Sequence, residues 1–213
     1  MAPVAASGRP RRTQADRRAR TRSALLESAA RGLSRHGYAN LVLEQVAREA
    51  GYTRGALYHL FANKEDLALA VCAWVGETWY AEVGHLLAED ADPVGALIAV
   101  ARGHAVYCRR DIARVLMTLR LEFSGQDHRV GRVIQEAGAQ LVGECARLIT
   151  AARRRKAIPP GPPPRVLARA YLGALEGVTI QLAGHAPFDV ALVERAVVGL
   201  LGLAPGSASA RST

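Results

Sequence analysis

Helical periodicity runs through nearly the whole chain and limits what the sequence can fold into. Apolar residues recur three and four positions apart, first between Leu25 and Leu33, where Gly37 follows as a stop signal. No alternating pattern typical of a strand extends beyond a few residues. Ala, Leu, Val and Arg dominate while aromatic residues make up 5%, a mixture that favours helices. We therefore predict an all-α fold.

Glycine, proline and capping residues divide this pattern into separate helices. Gly51 lies between the second and third helices, and Thr53 and Asn63 offer side-chain caps for the third and fourth. Asp92 and Pro93 have the spacing of a cap and a first helical residue. The predicted bounds are a third helix through Phe61, a fourth from Asn63 to about Leu87, and further helices at about 93–107, 110–123, 127–156, 164–184 and 188–202. The proline-rich run 159–164 is predicted to be a stiff linker.

The charge balance points to an anionic partner. The formal net charge is +9, and nucleic acid is the commonest partner of such a chain. Acidic membrane lipids, or solvent alone, are the alternatives for the basic start of the chain. There, Asp16 is the one acidic residue among Arg9, Arg11, Arg12, Arg17, Arg18, Arg20 and Arg22.

Cysteine usage and hydropathy predict a cytoplasmic protein without a membrane partner. Cys72, Cys108 and Cys145 are widely spaced and form no CxxC pair, which argues against a disulfide framework and fits a reducing compartment. No apolar run approaches the roughly 20 residues needed to cross a bilayer. The basic start is not followed by the apolar core of a signal peptide.

The segment 42–61 has the pattern of a helix, a tight turn at Gly51 and a second helix. Apolar residues of both helices can pack onto the first helix of the chain. The remaining outward face suits insertion into the major groove of DNA. That face carries Thr53, Arg54, Gly55, Tyr58 and His59.

The same region has a characteristic residue spacing over about 45 positions. The matching residues are Leu26, Ala29, Ala30, Gly37-Tyr38, Val46-Ala47, Ala50-Gly51, Thr53-Arg54-Gly55, Leu57-Tyr58, Phe61, Lys64-Glu65 and Leu67. With this set, residues 21–67 resemble the DNA-binding domain of the TetR family of transcriptional regulators, and residues 170–201 resemble the dimerising end of its multidrug-type, AcrR-like members.

The resemblance implies a domain organisation for the whole chain. We expect an N-terminal three-helix DNA-binding domain with the helix-turn-helix, followed by a larger C-terminal helical domain for ligand binding and dimerisation. The expected bounds are a basic disordered arm at 1–18, the DNA-binding domain at 19–66, the second domain at 67–203, and a flexible tail at 204–213.

By the same resemblance, Arg54 and Gly55 approach base edges, and arginine can make a bidentate contact to guanine. Tyr58 and His59 match positions that contact phosphate or thymine methyl groups. Lys64 matches a phosphate-binding lysine at a helix start. Thr53 combines a cap with a phosphate contact. The structural alternatives are that Thr53 and Asn63 only cap, that Tyr58 packs, and that Gly55 relieves crowding at the turn.

Two positions depart from the family pattern. Many members have a pair of Thr or Ser residues before the second helix, where this chain has Leu41 and Val42. Asn40 is then the expected cap of that helix. Leu60 occupies the position of a family histidine, and His59 stands one residue earlier. One residue is a rotation of about 100° on a helix, so His59 need not inherit that role.

The second half is expected to enclose an effector pocket and to form a homodimer through its last two helices. Glu176, a carboxylate on an otherwise apolar helix, is expected either to read a cationic ligand or to pair with an arginine. His104 and Cys108 have a metal-compatible spacing, but no second pair completes a site, so neither metal nor cofactor is expected. Candidate lining residues are Trp74, Trp79, His104, Tyr107, Cys108, Leu116, Phe123, Glu176 and Gln181.

The functional prediction is a ligand-responsive repressor. It would bind a pseudo-palindromic, double-stranded operator as a dimer and be released when a small-molecule effector tilts the fourth helix. The alternatives are an activator with the same fold, or a basic helical dimer that binds anionic surfaces without specificity. No Gly-rich phosphate loop, nucleophile elbow or catalytic cluster is present in the sequence, so no enzymatic activity is expected.

Overall fold

The computed structural model describes residues 13–89 and 91–204, and all regular structure in these ranges is helical, which confirms the all-α prediction. Short 3-10 turns lie at Gly84–Ala88 and Asp111–Arg114. The helices are α1 Gln14–His36, α2 Leu43–Glu49, α3 Arg54–Tyr58, α4 Lys64–Glu82, α5 Pro93–Tyr107, α6 Val115–Glu122, α7 Arg129–Arg154, α8 Pro164–Leu182 and α9 Phe188–Leu200.

The local signals for turns and caps are confirmed. Gly51 has a φ of +78°, a backbone conformation that favours glycine in the turn between α2 and α3. Thr53 Oγ1 accepts a hydrogen bond from the Ala56 N–H at 3.2 Å, and Asn63 Oδ1 accepts one from Asp66 at 2.9 Å. Asp92 caps α5, whose first residue is Pro93.

The prediction of a disordered arm over residues 1–18 is wrong for residues 14–18, which belong to α1. Thr13 and Asp16 form a reciprocal capping box, in which each side chain accepts a hydrogen bond from the other's backbone N–H. This box stabilises the helix start despite the many arginines there. Residues 1–12 of the arm and 205–213 of the tail lie outside the described residues.

Some helix ends also differ from the prediction. Asn40 does not cap α2, because its Nδ2 donates a hydrogen bond to the His36 carbonyl at the end of α1. The N-cap position of α2 is Val42, which provides no side-chain hydrogen bond. Helix α3 ends at Tyr58, before Phe61, and α4 ends at Glu82 with the first 3-10 turn following it.

Two apolar cores hold the helices together. The first combines α1–α4 with the inner face of α6 and the start of α7, including Val115, Leu119 and Val130. The second lies among α5, α7, α8 and α9, around the buried Tyr171. Helix α4 supplies buried residues to the first core as far as Val75. The helix-turn-helix is therefore supported partly by α6 and α7, which belong to the second half of the chain.

Among the described residues, no helix combines the length and apolar character needed to cross a membrane.

Candidate nucleic-acid interface and effector site

Helix α3 has one buried face and one exposed face. Leu57 is fully buried in the first core, at 0% exposure, whereas the neighbouring Tyr58 is 42% exposed. Arg54, Gly55 and His59 are exposed as well. The structure therefore places the predicted DNA-contacting residues of this helix together on the surface.

Arg54 has exposed partners in the isolated chain. Its Nη1 lies 3.0 Å from Oε1 of Glu44, and both side chains are largely exposed. Its guanidinium lies 5.3 Å from the centre of the Tyr58 ring. An exposed ion pair contributes about 0–1 kcal/mol, less than the roughly 1–3 kcal/mol of discrimination that a bidentate arginine–guanine contact provides. The guanidinium of Arg54 can therefore leave Glu44 at little energetic cost.

Crowding does not explain the glycine at position 55. A Cβ added to Gly55 would have Thr53 Oγ1, at 3.8 Å, as its nearest neighbour. That distance is ordinary van der Waals contact, so the fold itself accepts a side chain here. The interpretation that Gly55 relieves crowding at the turn is wrong.

The residues after α3 divide between surface and core. His59 is exposed, and its N–H closes the helix on the Gly55 carbonyl at 3.0 Å. Leu60 is half-buried against the first core. A packing role thus accounts for Leu60 at the position where family members carry a histidine.

Lys64 begins α4 but faces the turn between α1 and α2. Its Nζ donates a hydrogen bond to the Ala39 carbonyl at 2.8 Å and lies 4.9 Å from the centre of the Tyr38 ring. The position of this ammonium group is thus set by the backbone of that turn.

Helix α1 carries a run of exposed arginines, and one of them contacts the residue that ends the helix-turn-helix. Arg17, Arg18 and Arg20 are exposed. The Arg22 guanidinium lies 5.8 Å from the centre of the Phe61 ring, which follows α3. Cationic side chains therefore adjoin the helix-turn-helix, as phosphate binding requires.

Three of the predicted effector residues meet between α4 and α5. The Trp79 indole donates a hydrogen bond from Nε1 to Nδ1 of His104 at 3.0 Å. A neutral His104 then carries its proton on Nε2, which lies 3.4 Å from Sγ of Cys108. Burial lowers the pKa of His104 to about 4 and raises the pKa of the Cys108 thiol to about 11. Both groups are therefore neutral near pH 7.

Glu176 pairs with an arginine, which is one of its two predicted roles. Both of its carboxylate oxygens accept hydrogen bonds from the Arg120 guanidinium of α6, one of them at 2.9 Å. On the next turn of α8, the Thr179 hydroxyl donates to the Leu175 carbonyl at 2.7 Å. Sequence reasoning identified neither Arg120 nor Thr179. Its one available signal was the apolar surrounding of Glu176, which required some cationic partner.

The other candidates lie apart from this group. The buried Tyr107 donates its hydroxyl to the Val75 carbonyl at 3.3 Å, and Gln181 is exposed. Phe123 is buried in the first core, stacked on His128 with ring centres 4.2 Å apart. The remaining two candidates, Trp74 and Leu116, pack against that first core. The structure therefore gathers Trp79, His104, Cys108 and Glu176, with Arg120 and Thr179, around α4, α5, α6 and α8.

Within residues 13–89 and 91–204, no group of three or more His, Cys, Asp or Glu side chains is arranged to hold a metal ion. The three cysteines are free and buried.

Comparison with known proteins connects this geometry to a family. Residues 25–71 match the sequence profile of "Bacterial regulatory proteins, tetR family". The uncharacterised HTH-type transcriptional regulator YxaF of Bacillus subtilis is 33% identical over 78 residues, which are 36% of this chain and 41% of YxaF. The chain thus matches about two fifths of the length of this curated relative.

Solved structures match over most of the chain. AibR, in complex with isovaleryl coenzyme A and operator DNA, has a TM-score of 0.69 at 22% identity, over 85% of this chain and 96% of AibR. A complex of SmeT with triclosan has a TM-score of 0.63 at 26% identity, over 87% of this chain and 93% of SmeT. The sequence match and the shared architecture agree. The chain therefore contains a regulatory-protein domain of the TetR family within a TetR-like helical fold.

Proposed function

We propose that this protein is a transcriptional repressor that binds a pseudo-palindromic DNA operator as a homodimer and is released by a small-molecule effector. The observation that most supports this proposal is the exposed face of α3, where Arg54, Gly55 and Tyr58 lie outside the first core. The fold accepts a larger residue at Gly55, so the glycine points to close approach by an external partner. A duplex with a negative backbone suits that partner, because α1 carries exposed arginines and one of them, Arg22, lies over the Phe61 ring that follows α3.

The outer stripe of α8 and α9 supports the dimer. Along α8, small or apolar exposed residues recur four and three apart, and Cβ atoms added at Gly173 or Gly177 would have no neighbour within 4 Å. On α9, Phe188 is 64% exposed and Leu192 is exposed as well. Exposed small and apolar residues of this kind, on two helices that pack together, are typical of a self-complementary interface. The α8 residues of the stripe are Val166, Ala170, Gly173, Gly177 and Ile180.

The group around His104 and Glu176 is the proposed effector site. It lies on α4, α5, α6 and α8 and combines the Trp79 indole, the neutral His104 and the Arg120–Glu176 pair. Two similar structures, AibR and SmeT, were solved with small organic molecules bound. An effector with polar groups would exchange contacts with these side chains and shift the population between two dimer geometries.

Selection of bound duplexes from a random DNA pool tests the operator proposal. We expect enrichment of an inverted repeat whose half-sites are separated by about one helical turn. Arg54→Ala should relax the preference at one position in each half-site by about tenfold or more. Arg132→Ala is the matched control, because Arg132 is also an exposed, paired arginine but lies on α7.

The result that overturns the proposal is equal retention of all duplexes. Binding that disappears with salt at the same rate for the repeat and for mixed DNA would favour the non-specific basic dimer instead. A reporter gene behind the selected repeat separates repression from activation: the proposal requires expression to rise when the gene for this protein is deleted.

A further inference from the structure

Glu122, the last residue of α6, holds the turn between α1 and α2. Its Oε2 accepts a hydrogen bond from the Tyr38 N–H at 2.6 Å, and its Oε1 accepts one from the Ala39 N–H at 2.7 Å. Hydrogen bonds to an ionised carboxylate are about twice as strong as neutral ones. This contact joins the second half of the chain directly to the helix-turn-helix domain.

Gly37 allows this close approach. Its φ is +73°, and a Cβ at this position would lie 2.6 Å from Oε2 of Glu122. Any larger residue would therefore collide with the carboxylate as well as strain the backbone. Gly37 therefore lets the α1–α2 turn and the end of α6 make direct contact.

Aromatic packing fixes the same contact from the side. The Tyr38 ring meets Phe123 edge-on with ring centres 5.2 Å apart and meets His128 at 5.1 Å. Phe123 and His128 are stacked on each other. The turn is therefore held both by hydrogen bonds and by a packed cluster from the second half of the chain.

Within the helix-turn-helix domain, the same turn sets the position of Lys64. The Ala39 carbonyl accepts the hydrogen bond from Lys64 Nζ, while the Ala39 N–H donates to Glu122. One peptide segment thus contacts the α6 carboxylate through its N–H and the Lys64 ammonium through its carbonyl.

Helix α6 also contacts α8. Arg120, two residues before Glu122 on α6, pairs with Glu176 of α8. The segment that contains α6 is also attached at its start, where Ser34 Oγ donates to the Asp111 carbonyl at 2.9 Å. The segment 111–122 is therefore attached to α1 at its start, to the turn after α1 at its end, and to α8 between them.

We propose that Glu122 is the positioning residue through which α6 transmits the state of α8 to the DNA-binding Lys64. A displacement of α6 that follows exchange of the Arg120–Glu176 contact moves the turn backbone and with it the Lys64 ammonium. Signal transfer then does not depend on a tilt of α4 alone. This inference rests on the proposed function and on the phosphate contact that the family resemblance implies for Lys64.

Glu122→Gln is the test variant, since it keeps the size of the side chain but replaces one acceptor oxygen with a donor NH₂. One of the two turn amides then faces a donor. With the selected operator duplex and fluorescence anisotropy, we expect binding about tenfold weaker than wild type. Asp127→Asn is the matched control: Asp127 is an exposed carboxylate after α6 that pairs with Arg132, and its loss changes the net charge equally.

A double-mutant cycle with Lys64→Ala separates positioning from general destabilisation. If Glu122 acts through Lys64, the double variant binds no more weakly than Lys64→Ala alone. If the fold-losses of operator affinity in the two single variants multiply in the double variant, the inference is overturned. Hydrogen exchange of the Tyr38 and Ala39 amides in the unbound protein gives an independent readout, and both should exchange faster in Glu122→Gln while α1 stays protected.

Glu122→Asp covers the case in which Glu122→Gln fails to fold. It keeps the charge but is one methylene too short to reach both amides, and the same loss of affinity and the same cycle are expected. A wild-type protein that selects no duplex refutes the proposed function. A wild-type protein that binds the repeat, with Glu122 variants that bind like Asp127→Asn, refutes this inference alone.

Discussion

Polar side chains on the exposed face of α3 and in the group around His104 differ in their exposure and in their hydrogen-bond partners. On α3, Arg54 contacts Glu44 and the Tyr58 ring, which are themselves exposed. In the interior, the Trp79 indole donates to His104, while Glu176 is paired with Arg120 nearer the surface, where the two side chains are 30% and 45% exposed. The first region keeps its polar atoms within reach of an outside partner, whereas the second already satisfies them internally.

This difference has a functional meaning. Under the proposed function, DNA would displace the weak exposed contacts of Arg54 at little cost. An effector entering the interior group must replace hydrogen bonds that are already formed, because a buried polar group left without a partner costs about 1–3 kcal/mol. Under the proposed function, effector recognition would require complementary polar groups, and that exchange of contacts would link binding to a change in conformation.

The largest expected effect contrasts the two faces of α3. Leu57→Ala removes a fully buried side chain from the first core and should lower the free energy of unfolding by about 2–5 kcal/mol. Tyr58→Ala, on the exposed face, should change it by no more than about 0.5 kcal/mol while weakening operator binding. Urea unfolding and anisotropy measure the two quantities. Equal destabilisation by both variants would contradict the assignment of the faces.

The second prediction concerns the interior group and pH. Burial lowers the pKa of His104 from 6.5 to about 4, so between these values the unfolded chain binds a proton that the folded protein does not. Stability should therefore fall as pH falls through this window, by about 3 kcal/mol from this residue. Urea unfolding at several pH values checks it.

His104→Gln should make that decline shallower, since glutamine does not titrate and can still accept from Trp79. His59→Gln, at the exposed histidine after α3, is the control and should leave the decline unchanged. If His104→Gln and wild type show parallel curves, the interior group does not exclude a proton from the histidine ring.

The smallest expected effect on stability is a gain. Gly55→Ala should raise the free energy of unfolding by about 0.5–1 kcal/mol, because alanine favours the helix and the site has room for a Cβ. Operator affinity should fall at the same time. A variant that is more stable and binds the operator as well as wild type would show that Gly55 is needed neither for folding nor for DNA binding.

The elements that could be predicted are those fixed by neighbours in sequence. The Thr53 and Asn63 caps, the Asp92–Pro93 start of α5 and the Gly51 turn each depend on residues within four positions. The start of α1 was also encoded locally, by Thr13 and Asp16, but the surrounding arginines favoured a disordered arm in the prediction.

The interior could be predicted only in outline. That Glu176 needs a cation follows from its apolar helix, but Arg120 is 56 residues away, and the choice among the chain's arginines depends on how α6 packs on α8. Phe123 was expected in the effector pocket because the family resemblance places a pocket among the helices of the second half, yet it stacks on His128 beside the α1–α2 turn. An apolar residue carries no information on which core it joins.

The contact between Arg54 and Glu44 has a consequence for how a target would be found. A protein sliding along mixed DNA is held by its other arginines and samples many sites each second. While Glu44 neutralises its charge, Arg54 would add nothing to the electrostatic affinity for mixed DNA and would not slow the sliding. Under the proposed function, the contact would open where a guanine offers a better partner, and search and recognition would then use different side chains.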